Sequence, residues 1–233
     1  SCELGTTPLH EVCHENHEAA AKLLLTKRAD PQKLNRSERM GGLNALHIAC
    51  RRNAAACVVT LLQHVPALGS ACTSQGEPPF FYAALWQSYD SMEALGRSGV
   101  VDVDAGNPDG ITALHNMVFS GSAKGVRKCL ELGCSVNVST LRRETPLWVT
   151  CSTGNVEFID LLCNAGQGGD FLHAADIEGR RPFHVAYSQV SPYLPISPHI
   201  SPYLPISPQY LPTWRIRRAT LTPPRTSSRK EPA

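Results

Sequence analysis

Apolar residues recur three and four places apart in short bursts along the chain. AAAKLLL (Ala19 to Leu25) and VEFIDLLC (Val156 to Cys163) are the clearest, and their spacing predicts short amphipathic helices. Ahead of such bursts stands a short phrase that keeps returning: TPLH at Thr7, NALH at Asn44, TALH at Thr112, TPLW at Thr145 and RPFH at Arg181. Thr suits an N-cap, because its hydroxyl accepts from an early helix N–H. Pro suits the first helical position, where the N–H has no partner to lose. Leu then opens a buried stripe, and the small residues after it let a second helix lie close. Deeper in each unit come Leu23-Leu24-Leu25, Leu61-Leu62 and Leu161-Leu162, then turns at RAD (Arg28), ELGCSVN (Glu131) and NAG (Asn164). Asp109-Gly110 and Glu178-Gly179 precede the next phrase. Each unit therefore predicts helix, turn, helix, turn. One such pair cannot bury its apolar face alone, whereas a pair stacked on a copy of itself can.

The starts fall at Thr7, Asn44, Pro78, Thr112, Thr145 and Arg181, at intervals of 37, 34, 34, 33 and 36 residues. A period near 33 headed by T-P-L-H resembles the ankyrin repeat over roughly Thr7 to Tyr187. The resemblance implies an all-α ankyrin-repeat solenoid in residues 1–187, with five recognisable helix-turn-helix repeats and a truncated sixth. The third unit departs most. Pro78-Pro79-Phe80-Phe81 replaces the phrase, and Gly96 stands where its second helix should be apolar. The sixth is only a head, RPFHVAY, without the complete polar-faced cap such stacks normally carry.

Charge and proline content divide the chain. It has 233 residues, a formal charge of +2 and 42% hydrophobic residues, enough for one or two domains. Residues 1–190 hold 16 Lys and Arg against 19 Asp and Glu, while residues 191–233 hold six against one. Ten of the 18 prolines lie between Pro192 and Pro232, and SPYLPISP occurs twice, at Ser191 and Ser201. Residues 188–233 therefore read as a disordered, Pro-rich, basic tail. Three roles fit it. It is passive, or it offers Pro192/Pro195 and Pro202/Pro205 as PxxP ligands to an SH3-like groove, or it is regulated by phosphate. Ser191, Ser197, Ser201, Ser207 and Thr222 each precede Pro, and Arg217-Arg218-Ala219-Thr220 resembles a basophilic kinase site.

Composition narrows the function classes. No apolar run approaches the roughly 18 residues of a membrane span. SCELGTTPLH lacks the basic start and apolar core of a signal peptide, and a chain opening at Ser1 without Met reads as a fragment or a processed chain. Nine cysteines without a CxxC pair read as free thiols in cytoplasm or nucleus, not as a zinc site. No phosphate-cradling loop, HExxH or GxSxG is present. No catalytic residue, metal, cofactor or small-molecule substrate is expected. Arg215-Ile216-Arg217-Arg218 reads as a solvated charge cluster, so nucleic acid is not expected as a partner either.

The resemblance gives His10, His47, His115 and His184, all at place four of the phrase, a structural role tied to the neighbouring Thr and turn. Cys13, Cys50 and Cys151 share place seven and read as small core residues. In such stacks the partner meets the turn tips and the outward places five, eight and nine of the first helices. Here these include Arg51 and Arg52 in the second unit, Tyr82, Leu85 and Trp86 in the third, and Phe119 in the fourth. An aromatic centre with a charged rim is the composition of an interaction hot spot. The competing arrangement rotates the irregular third helix and buries Leu85 or Trp86. Basic tips at Leu141-Arg142-Arg143 and at Arg36 to Met40, with Phe171-Leu172-His173 in an enlarged fifth turn, are a second candidate surface. The expected function is protein recognition by an adaptor or scaffold. A ubiquitin-ligase receptor and a regulator of a transcription factor or kinase are the alternatives. For the receptor, LPTWRIRRATL is too short and basic to serve as a ligase-binding box.

Overall fold

Thr7 opens the first unit by a reciprocal cap. Its side-chain oxygen accepts from the His10 backbone N–H at 3.4 Å, and the His10 ring Nδ1 accepts from the Thr7 backbone N–H at 3.0 Å. Pro8 fills the first turn. The computed structural model describes residues 6–34, 42–166 and 170–190. The Arg36 to Met40 tip lies outside the described residues. So does everything from Ser191 onward, including the PxxP pairs, the candidate phosphorylation residues and all of the tail read as disordered but residues 188–190, which instead end a helix.

The described chain is helical, with no strand among the described residues. The units follow in order as α1 (Pro8–His14) and α2 (Glu18–Thr26), then α3 (Ala45–Arg51) and α4 (Ala55–His64). After a 3-10 turn at Pro66–Ser70 come α5 (Pro79–Leu85) and α6 (Tyr89–Arg97), α7 (Ala113–Phe119) and α8 (Ala123–Glu131), α9 (Pro146–Thr153) and α10 (Val156–Ala165). The enlarged fifth turn contains the short α11 (Asp170–His173), and the sixth head is α12 (Pro182–Val190). First helices pack in the row α1, α3, α5, α7, α9, α12, and second helices in the row α2, α4, α6, α8, α10. Stacked helix pairs in two rows make a solenoid.

Register explains the core. Place three supplies Leu9, Leu46, Phe80, Leu114 and Leu147, and place seven supplies Cys13, Cys50, Ala84, Val118 and Cys151, all buried. Burial pushes the Cys50 and Cys151 thiols up, so they stay protonated as packing groups. Each first helix hands over to its second through a left-handed residue, successively Asn16, Asn53, Gln87, Gly121 and Gly154. Asn53 also ties two units together. Its Oδ1 accepts from the Ser91 N–H at 3.0 Å and its Nδ2 donates to Asp90 at 2.7 Å, capping the start of α6.

The irregular third unit is completed from outside itself. A Cβ on Gly96 would stand 3.0 Å from Leu132 Cδ2, so the room an apolar side chain would fill is taken by Leu132 of the next unit. The truncated sixth head still folds, because α12 lies against α9 and buries Val185.

The histidine column carries two tautomers. His115 Nε2 donates to the Glu144 carbonyl at 3.0 Å, so its Nδ1 is the acceptor for Thr112. At the second unit Asn44 replaces Thr. Its Oδ1 accepts from the His47 backbone N–H at 3.0 Å and stands 2.8 Å from His47 Nδ1, which must then carry the proton. His47 Nε2 is left buried without a hydrogen bond, near the Glu77 carbonyl. Asn44→Thr should return the proton to Nε2 and form the bond to that carbonyl. The expected gain is about 1 kcal/mol, read as a higher urea midpoint with an unchanged slope. A midpoint that stays or falls would reject the tautomer assignment.

Candidate partner-binding face

The third unit places an aromatic string on the row of first helices. Tyr82 meets His47 edge-on, with ring centroids 5.4 Å apart, and lies 6.4 Å from the Trp86 ring. The Arg51 guanidinium sits 4.7 Å from the centre of the Trp86 ring, a cation–π contact between neighbouring units. Each residue gets there by register: Arg51 ends α3 at place eight, and Trp86 closes α5 at place nine.

Tyr82 differs from the expectation. It is 6% exposed and supports the face from behind. Place five is likewise buried at Ile48 and Val149, because adjacent first helices close over it, and it is exposed only at Glu11 of the first unit. Burial pushes the Tyr82 hydroxyl up to about 12, against the weaker opposing effects of the Trp86 indole and the Arg51 charge. Trp86 Nε1 is enclosed near that hydroxyl without a hydrogen bond of good geometry.

Leu85, Trp86 and Phe119 are half-buried, with Trp86 and Phe119 packed against the core on one side. Arg51 is half-buried and Arg52 exposed, and Arg52 Nε donates to the His14 carbonyl at 3.3 Å. The structure thus brings Arg51, Tyr82 and Trp86 into direct contact. Arg142, half-buried, and exposed Arg143 stand apart on the tip between the fourth and fifth units. Leu172 and His173 are exposed after α11.

Sequence reasoning named Leu141 only as part of a basic tip and passed over Ile177. Leu141 is 73% exposed and Ile177 57%. Both take the first central place of their turn, where Pro108 stands one unit earlier, and aligning the turns alone would have matched them. Among the described residues no group of His, Cys, Asp and Glu is arranged to hold a metal ion, and no helix is long and apolar enough to cross a membrane.

This architecture is that of an ankyrin-repeat domain. Residues 9–107 match the family model of ankyrin repeats (3 copies). The ankyrin repeat domain of Bcl-3, described as a unique member of the IkappaB protein family, shares the fold at a TM-score of 0.70 and 24% identity, covering 78% of each chain. Residues 9–107 are thus ankyrin repeats, which are protein–protein interaction modules. The chain is 26% identical over 188 residues to the B-cell lymphoma 3 protein homolog of Mus musculus, covering 77% of this chain and 34% of that protein. It is 23% identical over 172 residues to the Homo sapiens transient receptor potential cation channel subfamily A member 1, covering 70% and 15% respectively. With protein phosphatase 1 regulatory subunit 27 of Mus musculus it shares 30% over 94 residues, covering 39% and 59%. The chain spans less than two thirds of the length of each of these relatives.

Proposed function

We propose that the chain is a non-enzymatic adaptor that captures a protein partner on the first-helix face. Leu85, Trp86 and Phe119 form its apolar centre, Arg51 and Arg52 its rim, and Tyr82 holds Trp86 from beneath. One observation carries this reading: a half-exposed tryptophan fixed between a buried tyrosine and an arginine of the neighbouring unit. A rigid aromatic beside a guanidinium loses little entropy on binding, and such pairs dominate interface energies. Arg142 and Arg143 add a second contact on the tips. Pro192/Pro195 and Pro202/Pro205 add a PxxP ligand for an SH3-like domain. The buried thiols, free of disulfides among the described residues, favour cytoplasm or nucleus.

The test is affinity capture by the full chain and by Trp86→Ala and Arg52→Glu, each checked for folding by circular dichroism and urea midpoint. Trp86→Ala should weaken capture of the recovered partner about 30-fold. Arg52→Glu, on an exposed side chain, should weaken it with only a small fall in midpoint, from loss of the bond to the His14 carbonyl. Undiminished capture by both folded variants would remove the face from the proposal. The likeness to a phosphatase regulatory subunit favours a second reading, a regulator that docks on an enzyme. A phosphatase catalytic subunit among the captured proteins would select it.

A further inference from the structure

Four consecutive turn tips have one construction. The first, closed by the Gly76 N–H to the Thr73 carbonyl at 2.9 Å, carries the polar pair Ser74-Gln75, and the other three carry an apolar residue. In each, the fourth residue donates its N–H to the carbonyl of the first: Gly110 to Asn107 at 2.8 Å, Arg143 to Thr140 at 2.8 Å and Gly179 to Asp176 at 3.1 Å. The central pairs are therefore Pro108-Asp109, Leu141-Arg142 and Ile177-Glu178, carried outward by the turn. Backbone bonds lock neighbouring tips together, Leu141 N–H to the Asp109 carbonyl at 2.9 Å and Ile177 N–H to the Arg142 carbonyl at 3.0 Å. The result is a ladder of exposed Pro108, Leu141 and Ile177, one apolar side chain per unit.

The charges on this ladder are uneven. Glu178 is paired with Arg180 at 3.1 Å. Arg142, Arg143 and Asp109 form no ion pair among the described residues, although the Arg142 charge acts on the buried Glu144 carboxyl. Arg143 also occupies a left-handed place, at φ 59°, where Gly42, Gly76, Gly110 and Gly179 stand in the other units. A side chain there is strained where glycine is not. The strain is shared with other exposed places such as Arg28 and Gln87, and here it holds a charged side chain out at the tip, within reach of a ligand.

We propose that this ladder binds an extended segment of a partner protein, with two apolar residues three places apart and a carboxylate between them. Stacked helices lie about 8–10 Å apart, and three residues of extended chain cover about 10 Å. Apolar residues at that interval therefore meet Leu141 and Ile177 together. The carboxylate between them faces Arg142 and Arg143, and a Lys or Arg at the other end of the segment faces Asp109. The chain's own tail is the wrong occupant, since it is basic and its lone acidic residue is Glu231. The proposal rests on the reading that the stack recognises protein, and it uses a surface apart from Trp86.

The probe is a fluorescein-labelled peptide with two leucines three apart, a glutamate between them, a lysine at one end and Thr and Val spacers. Its control has the same composition scrambled so that the leucines adjoin. Anisotropy titration with the full chain should show binding of the first and not the second. Leu141→Ser and Ile177→Ser should each weaken it about tenfold. Arg143→Gly should weaken it and flatten its salt dependence while the urea midpoint holds or rises. Trp86→Ala should leave peptide affinity unchanged. No binding, equal binding of the scrambled peptide, or full binding by folded Leu141→Ser and Arg143→Gly would overturn the proposal. Loss confined to Trp86→Ala would also overturn it, moving the peptide to the first-helix face and leaving that reading intact.

Discussion

Acidifying this chain from pH 6.5 to pH 4 should cost it about 3 kcal/mol for each of two histidines. His47 and His115 are buried, and burial lowers their pKa values from an ordinary 6.5 to about 4, with the Glu77 and Glu144 carbonyls opposing the fall weakly. Between those values the unfolded chain takes up the protons and the folded chain does not. Stability is therefore full above pH 6.5 and drains as pH drops toward the folded pKa. In His115 the structural reason is local. Its Nε2 proton is committed to the Glu144 carbonyl, so a second proton must go to Nδ1, which faces the Thr112 backbone N–H and hydroxyl. Protonation sets the Nδ1 proton against the Thr112 backbone N–H, while the hydroxyl can turn to accept, and so removes one bond from the cap of α7. Glu144 and Asp104, whose carboxyls burial lifts above the usual range, take up protons in the folded state and soften the loss at its acid end. Urea titrations at pH 7, 5.5 and 4.5 measure the effect. His115→Phe, which copies the Phe81 already present at this place in the third unit, should flatten about half the slope. A stability that does not change between pH 6.5 and 4.5 would show that neither ring is held neutral.

The starts of the units were legible because they rest on local chemistry. A Thr or Asn before a helix, and a Pro in its first turn, act within a few residues, and Thr7, Asn44, Thr112 and Thr145 all stand as N-caps. The second helices were legible from their apolar spacing, as in α2 and α10. What escaped depends on neighbouring units. Gly96 looked like a defect because its filler, Leu132, belongs to the next repeat. Tyr82 looked outward because an isolated helix has no neighbour to cover place five, whereas the stack does. Leu141 stood out only as part of a basic tip and Ile177 not at all, and only hydrogen bonding between turns sets them in one row. Chain-local signals fix where each helix begins, and the stacking decides which of its faces remain for a partner.

That division predicts where the stack is weakest to a single change. Phe80 is 0% exposed and takes the place-three position that leucine holds in the other four complete units. It stands, fully buried, on α5, which packs against both α3 and α7. Phe80→Ala should cost about 3–5 kcal/mol, the lost transfer of the ring plus the cavity it leaves. Solenoid stability is roughly a sum of unit and nearest-neighbour terms, so the loss falls at the middle of the stack and not evenly along it. The expected result is a large drop in urea midpoint together with a broadened or split transition, as the first two units separate from the last three. Hydrogen exchange should show the amides of α5 and α6 opening before those of α7 and α9. Phe80→Leu, which restores the residue of the other units, should recover most of the loss. If Phe80→Ala lowers the midpoint but leaves one sharp transition and uniform exchange, the units fold as a single block. If it lowers the midpoint hardly at all, the third unit is not the bridge between the two ends.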